Sequence, residues 1–376
     1  MEEAVQLFEL DRRAEFVDRP NRFTIRGRLD GGAIVAAHSA NPGRMLELLQ
    51  PAEGEEPATE LLLSASADPR RKTAYTVAAV RRPSDGRIVP LVSTAANFLA
   101  AELFIPRLFP DARIRREVTR GGSRFDFLAE SADRRTWIEV KSCTLEAHGV
   151  AMFPDAATDR GRRHVEELTE LREDGRMVLF VVQGLRPERF MPDIHTDPAF
   201  SLALRQAERR GVEVRAVSVA CDAAGRARPD QWEIPIDFEP VDAVDGNSGS
   251  YILHLKLTEQ EEIQVGSLGN IRFPAGHYLY VGSAMGSLSS RTARHLRRRK
   301  RHRWHVDYLR HASSGAWVYP VYSRSRLECE IAASLATRYD TPVPGFGSSD
   351  CGCPSHLFFS PVDPRRSRGF VDTLLE

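Results

Sequence analysis

The segment RMVLFVVQ, residues 176–183, limits the fold more than any other stretch of this sequence. An unbroken apolar run of this length reads as a strand buried inside a sheet, so helices must cover it. The flanks supply them. GRRHVEELTELRE (161–173) has helical spacing, and DPAFSLALRQAERRG (197–211) opens on Asp-Pro and closes on Gly, which is helix punctuation. VEVRAVSV follows as another strand. Upstream, STAANFLAAELF (93–104) predicts a helix and RIRREVT, SRFDFLAE and RTWIEVKSC predict three strands. The order α-β-β-β-α-β-α-β implies a mixed sheet with helices against it, an α/β unit.

Two other regions differ in character. Residues 7–82 carry short alternating runs, RFTIRGRL, GGAIVAAH, TELLLSAS and TAYTVAAVRR, separated by turn residues, which predicts a small antiparallel barrel. EPVDAVDGNSGS (239–250) is small, acidic and glycine-bearing and reads as a linker. The expected division is therefore 1–83, 84–238, a linker at 239–248, and 249–376.

With 42% hydrophobic and 28% charged residues the chain has a globular composition. It lacks an apolar run long enough for a membrane span and a signal-like N-terminus, and its five cysteines are scattered. A cytoplasmic protein with reduced thiols is expected, with self-assembly left open. The net charge of zero hides an asymmetry: residues 249–376 hold 17 Lys+Arg against 11 Asp+Glu, and eight cations crowd into RTARHLRRRKRHR (291–303). Such a patch suits a polyanion, while a solvated helix face is the plainer alternative.

Of the 52 basic residues only Lys72, Lys141, Lys256 and Lys300 are lysines. Lys141 sits in TWIEVKSCTL, two residues after Glu139. Lysine is a compact charge that can give up a proton, and arginine is a planar fork that does not. Strand alternation puts Glu139 and Lys141 on one face, with Ile138 and Val140 on the other. In SRFDFLAE it puts Phe125 and Phe127 together and Asp126 opposite. If both apolar sets face the core, Asp126, Glu139 and Lys141 converge. Two hard carboxylates suit Mg2+ or Mn2+, and such an ion could clamp a phosphate and acidify water. The competing reading is an ordinary hairpin with a charged, solvated face. Trp and aliphatic neighbours argue for a central strand, and DRGRRH places Arg160, Arg162, Arg163 and His164 at a helix start, where phosphate is welcome.

The blocks NRF, AAHSANPGRMLELLQP, SRFDFL, WIEVKSCTL, FPDAATDRGRRHVEEL and LALRQAERRGVEV, in this order, resemble the sugar fermentation stimulation protein A family over roughly residues 7–238. The resemblance implies an OB-like nucleic-acid-binding barrel and a PD-(D/E)xK-like nuclease domain. Asp126 and Glu139 then correspond to metal ligands, Lys141 to the catalytic lysine, and Glu102 on the preceding helix to an extra acidic ligand. Arg22 and Arg44 of the barrel, with Arg160, Arg163 and His164, would contact nucleic acid. DNA is the expected partner, RNA the second reading, and a non-cleaving DNA-binding regulator of sugar-utilisation genes the rival function.

The C-terminal blocks GSYILHL, GHYLYVGSA, RHL, WHVDYL, ECE and GFGSSDC resemble GIY-YIG nucleases over roughly 249–360. That resemblance implies catalytic roles for Tyr251, Tyr280, Arg291 and Glu328. Glu328 is preferred to Glu330 because Ile331, Ala332 and Leu335 follow it on the inward stripe. The first motif reads Gly-Ser-Tyr and the usual closing asparagine is not evident, so binding by Arg294, His295, Arg298, Lys300 and Arg301 on a basic helix (289–301) is the firmer expectation. CGCPSH offers Cys351, Cys353 and His356, but zinc needs a fourth ligand and the spacing fits structural zinc patterns poorly, so a tight loop with buried thiols is expected.

Overall fold

The computed structural model describes residues 4–66, 70–92, 94–244, 247–341 and 343–375. The chain forms two compact units, Met1–Val241 and Asp242–Glu376. The boundary falls inside the expected linker, where Glu239–Ala243 is a short helix; Asp245 and Gly246 lie outside the described residues. No described helix is long and apolar enough to cross a membrane.

The N-terminal sheet runs in the order Ile34–His38, Thr24–Arg28, Arg12–Asn21, Glu60–Ala65, Tyr75–Arg81, Ile88–Pro90. Ala37 and His38 also pair with Tyr75 and Thr76, which closes the sheet into a barrel. Leu61, Leu63, Val77 and Ile25 fill it. The Arg12–Asn21 strand has no counterpart among the expected runs, because charged residues outnumber its two buried positions, Ala14 and Phe16.

The second sheet has the order Val5–Gln6, Arg226–Ile234, Glu213–Cys221, Gly175–Gln183, Arg135–Cys143, Ser123–Glu130, Arg113–Arg120. Gly175–Gln183 is parallel to both neighbours, and its apolar residues are buried on both faces. One face packs Ile138, Val140, Leu179 and Val181 against Ala96, Leu99, Leu103 and Phe104. That helical segment begins at Ala95, widens over Ala100–Phe104 and ends at Leu108; Ser93 lies outside the described residues. Two more helices are capped as their sequences require. Thr158 Oγ1 accepts from Gly161 N at the head of Asp159–Thr169, and Asp197 Oδ1 accepts from Phe200 N at the head of Pro198–Arg209.

In the second unit Gly315–Tyr322, Gly249–Leu257, Gly276–Ala284 and Leu357–Ser360 form an antiparallel sheet. Alternation sorts its core into two layers. Tyr251, Leu253, Leu255 and Tyr280 pack with Leu288, Val306 and Leu309, whereas Ile252, Leu279 and Val281 pack with Ala332, Leu335 and Phe370. The basic helix is shorter than expected, Leu288–Leu296, and Arg297 is already extended. The chain leaves the helix there and wraps around a buried carboxylate, Asp307.

Candidate active site

Arg135–Cys143 is a central strand, hydrogen-bonded on both sides. Glu139 is buried at 3% exposure, where the Asp159–Thr169 helix brings His164 to it. Its Oε1 accepts from Lys141 Nζ at 2.6 Å and lies 2.6 Å from His164 Nδ1. Its Oε2 is buried and has no hydrogen-bond partner. Burial alone would raise the Glu139 carboxyl, but His164 and the Lys141 ammonium outweigh it and hold the group below its ordinary range.

Asp126 reaches the same centre by a route that strand alternation does not foresee. The ladder between Ser123–Glu130 and Arg135–Cys143 ends at Phe127–Ile138. Beyond it Asp126 substitutes for the backbone: Oδ2 accepts from Val140 N at 2.8 Å, and Oδ1 accepts from Asn97 Nδ2 at 2.7 Å. On the outer side the pair opposite Asp126 is also missing from the ladder, and that residue, Glu117, sits at φ 53°. A non-glycine residue in the left-handed region beside a candidate ligand is local strain of the kind found at functional sites. The distortion splits the two phenylalanines that alternation places together. Phe127 joins the Ile138 cluster, and Phe125 packs edge-on against Trp137 at 5.6 Å and His164 at 6.4 Å. The Asp126 carboxyl is raised by burial and by the Glu139 charge, with the Val140 N–H, Asn97 and Lys141 opposing.

The centre therefore comprises Asp126, Glu139 and Lys141, joined by Asn97 and His164. Asn97 carried no sequence signal beyond its place on the preceding helix. His164, expected at a nucleic-acid surface, instead orients Glu139. Glu102 is paired with Arg116 at 3.0 Å on an exposed surface; Asn97 is the helical residue that touches Asp126, because Glu102 emerges from another side of the helix. The orphan Glu139 Oε2, on a carboxylate within electrostatic reach of Asp126, fits a hard divalent cation.

Among the other expected contacts, Arg160 and Arg163 are exposed at the start of their helix. Arg22 stacks over Phe23, its Cζ 4.8 Å from the ring centroid, and Phe23 is half exposed on the barrel. Arg44 is committed elsewhere: it donates to Asp155 O at 2.9 Å and to Thr196 Oγ1 at 2.6 Å, joining barrel and sheet.

In the second unit Tyr251 and Tyr280 lie on paired strands with ring centroids 6.4 Å apart. Gly282 lets them approach, since a Cβ there would stand 2.5 Å from Tyr251 Oη. Tyr251 Oη bonds His295 Nε2 at 2.9 Å. Burial pushes both phenols well above their ordinary range, with the Arg291 cation opposing and the Glu328 charge reinforcing the shift. Glu328 thus lies within electrostatic reach of both, whereas Glu330 is exposed. Arg291 stacks on Trp304 at 4.3 Å.

Three residues expected on the basic surface are structural. His295 is fully buried, Arg294 makes two bonds to Asp307 at 3.1 and 2.9 Å, and Lys300, nearly buried, bonds Asp307 at 3.0 Å. The buried carboxylate draws them inward. Arg298 and Arg301 remain exposed, with Arg297, Arg299 and Arg303.

A closed OB-like barrel, a restriction-endonuclease-like sheet with an acidic centre on its central strand, and a GIY-YIG-like unit define a multidomain protein built from nuclease-like folds. Residues 17–90 match the SfsA N-terminal OB domain, 93–225 the sugar fermentation stimulation protein RE domain, and 250–373 the domain of unknown function DUF123. Similar proteins include the sugar fermentation stimulation protein homologs of Methanothermobacter thermautotrophicus (39% identical over 56% of this chain and 86% of that one) and Chloroflexus aurantiacus (39%, over 56% and 81%). A solved structure of Pyrococcus furiosus SfsA in complex with Ca2+ is 28% identical, with a TM-score of 0.53, covering 62% of this chain and 99% of that one. The chain belongs to the sugar fermentation stimulation protein family.

Proposed function

We propose that the protein is a divalent-metal-dependent nuclease that hydrolyses phosphodiester bonds of DNA at the Asp126–Glu139–Lys141 centre. The observation that carries this reading is the buried, unpartnered Glu139 Oε2 on a carboxylate within electrostatic reach of Asp126, with Lys141 Nζ 2.6 Å from the other Glu139 oxygen. Ca2+ in the Pyrococcus relative supports a hard-cation site, and Mg2+ or Mn2+ would serve hydrolysis. Asp126 and Glu139 would hold the ion, which supplies Lewis acidity toward phosphate and a more acidic water.

The chain's own groups set the rest. His164 and Lys141 pin Glu139 Oε1, which holds the carboxylate in one orientation with Oε2 left unpartnered. Asn97 and the Val140 N–H do the same for Asp126. Hydrolysis joins a water oxygen to phosphorus and breaks a bridging P–O bond. Lys141 is placed to stabilise the charge that gathers on phosphate, or to pass a proton. Arg160 and Arg163 give the phosphate chain a cationic approach, and Phe23 under Arg22 offers the barrel a base-stacking platform.

Labelled DNA and RNA, single- and double-stranded, are incubated with Mg2+ or Mn2+ and wild type, Asp126→Ala or Lys141→Ala. Cleavage of DNA by wild type, lost in both variants with binding retained, is expected. Binding by wild type without any cleavage establishes the rival, a non-cleaving DNA-binding regulator. Cleavage of RNA alone changes the substrate, and cleavage surviving both substitutions moves the chemistry to the Tyr251–Glu328 unit.

A further inference from the structure

The second unit gathers four soft-ligand side chains from two distant stretches. Cys329 lies in the first turn of the Glu328–Ala336 helix, and Cys351, Cys353 and His356 belong to the loop before Leu357–Ser360. One ligand atom from each lies within 4.8 Å of all the others. Cys351 Sγ stands 3.4 Å from His356 Nε2. All these cysteines are free thiols rather than disulfides. Ligand atoms around a tetrahedral zinc, with Zn–S about 2.3 Å and Zn–N about 2.0 Å, are roughly 3.3–3.8 Å apart. Three thiolates and an imidazole are the soft donor set that zinc prefers over Mg2+ or Ca2+.

The loop is braced to present these ligands. Gly345 N donates to Pro354 O at 2.8 Å, His356 N to Phe346 O at 2.9 Å, and Val281 N to His356 O at 2.9 Å, which ties the loop to the sheet. His356 itself is buried. A second cluster, His254, His277 and Asp363, brings only three ligands, and Asp363 is already held by Arg365 at 2.5 Å.

We propose that Cys329, Cys351, Cys353 and His356 bind one structural Zn2+. Four protein ligands leave no open coordination position, so the ion cross-links rather than reacts. The link joins the helix start that carries Glu328 to the loop that carries Gly347. That glycine, at φ 72°, lies against Tyr280, where a Cβ would come within 2.6 Å of the ring. The ion thereby sets Glu328 and Tyr280 relative to each other. This inference does not depend on the reading of the Asp126 centre.

Full-length protein purified under reducing conditions without chelator is analysed for metal by mass spectrometry. About one zinc per chain is expected, retained in Asp126→Ala and Glu139→Ala and lost in a Cys351→Ser/Cys353→Ser double variant. Because that variant could misfold, wild type is also stripped and reloaded with Co2+. Visible bands of tetrahedral thiolate–cobalt, with protection of three thiols from alkylation, are expected. Absence of zinc as purified together with no thiolate–cobalt bands overturns the proposal. So does zinc that disappears with Asp126→Ala and stays in the cysteine variant.

Discussion

Asp307 offers the sharpest test of how the basic segment is built. Its carboxylate is fully buried and accepts from Arg294 Nη1 and Nη2, Lys300 Nζ and Arg303 N at 2.8–3.1 Å. Although burial opposes it, this ring of donors, with His295, depresses the carboxyl far below its ordinary range. Asp307→Asn preserves shape but leaves Lys300, 5% exposed, and Arg294, 20% exposed, without their counter-charge. Removing one partner of a buried ion pair costs about 3–5 kcal/mol. For a unit of this size that lowers its melting temperature by roughly 10–20 °C. Calorimetry of the full chain should show one transition displaced and the other unmoved. The sign of the pH dependence follows from the depressed carboxyl. Its contribution is complete above the unfolded value of about 4 and is lost as pH falls through the lower folded value, so wild type and variant converge only in acid. A displacement under about 1 kcal/mol, or a gap that persists unchanged into strong acid, would refute the view that Arg294 and Lys300 are framework rather than nucleic-acid contacts.

Four further outcomes are expected. Arg298→Ala/Arg301→Ala should weaken DNA binding and reduce the slope of log affinity against log salt by about 1–2, measured by fluorescence anisotropy. Asn97→Ala should release Asp126 and lower the cleavage rate roughly 10-fold while binding changes little, the behaviour of a group that positions another. Lys141→Arg should fail to restore the cleavage lost in Lys141→Ala, because a fork replaces a point charge beside Glu139. Asp155, pushed up to about 6 by burial despite Arg44 and the Met45 N–H, favours folding most fully below the unfolded value of about 4, and this is lost as pH rises through 6. Asp155→Asn should flatten the stability profile across that window in chemical denaturation.

Much of the architecture was legible in local patterns. The apolar 176–183 run required a covered central strand, Asp-Pro marked a helix start, and alternation paired Glu139 with Lys141. These readings held because each depends on neighbours within a few residues, where backbone period decides which way a side chain points. Lys141, one of only four lysines among 52 basic residues, pointed to the same strand. What local pattern could not carry shares one cause. Asp126 joins the centre because the ladder breaks at its own position, which separates Phe125 from Phe127. Asn97 and His164 reach the two carboxylates from different helices. Asp307 pulls Arg294, His295 and Lys300 out of a surface that charge density alone would leave exposed. Cys329 comes to Cys351, Cys353 and His356 from a separate helix. Periodicity carries information along a strand or helix, but not across the space between elements, and a buried charge or thiol takes whichever partner the packed fold brings to it. The sequence by itself determined the elements and the chemistry available on them; the tertiary structure decided which groups meet.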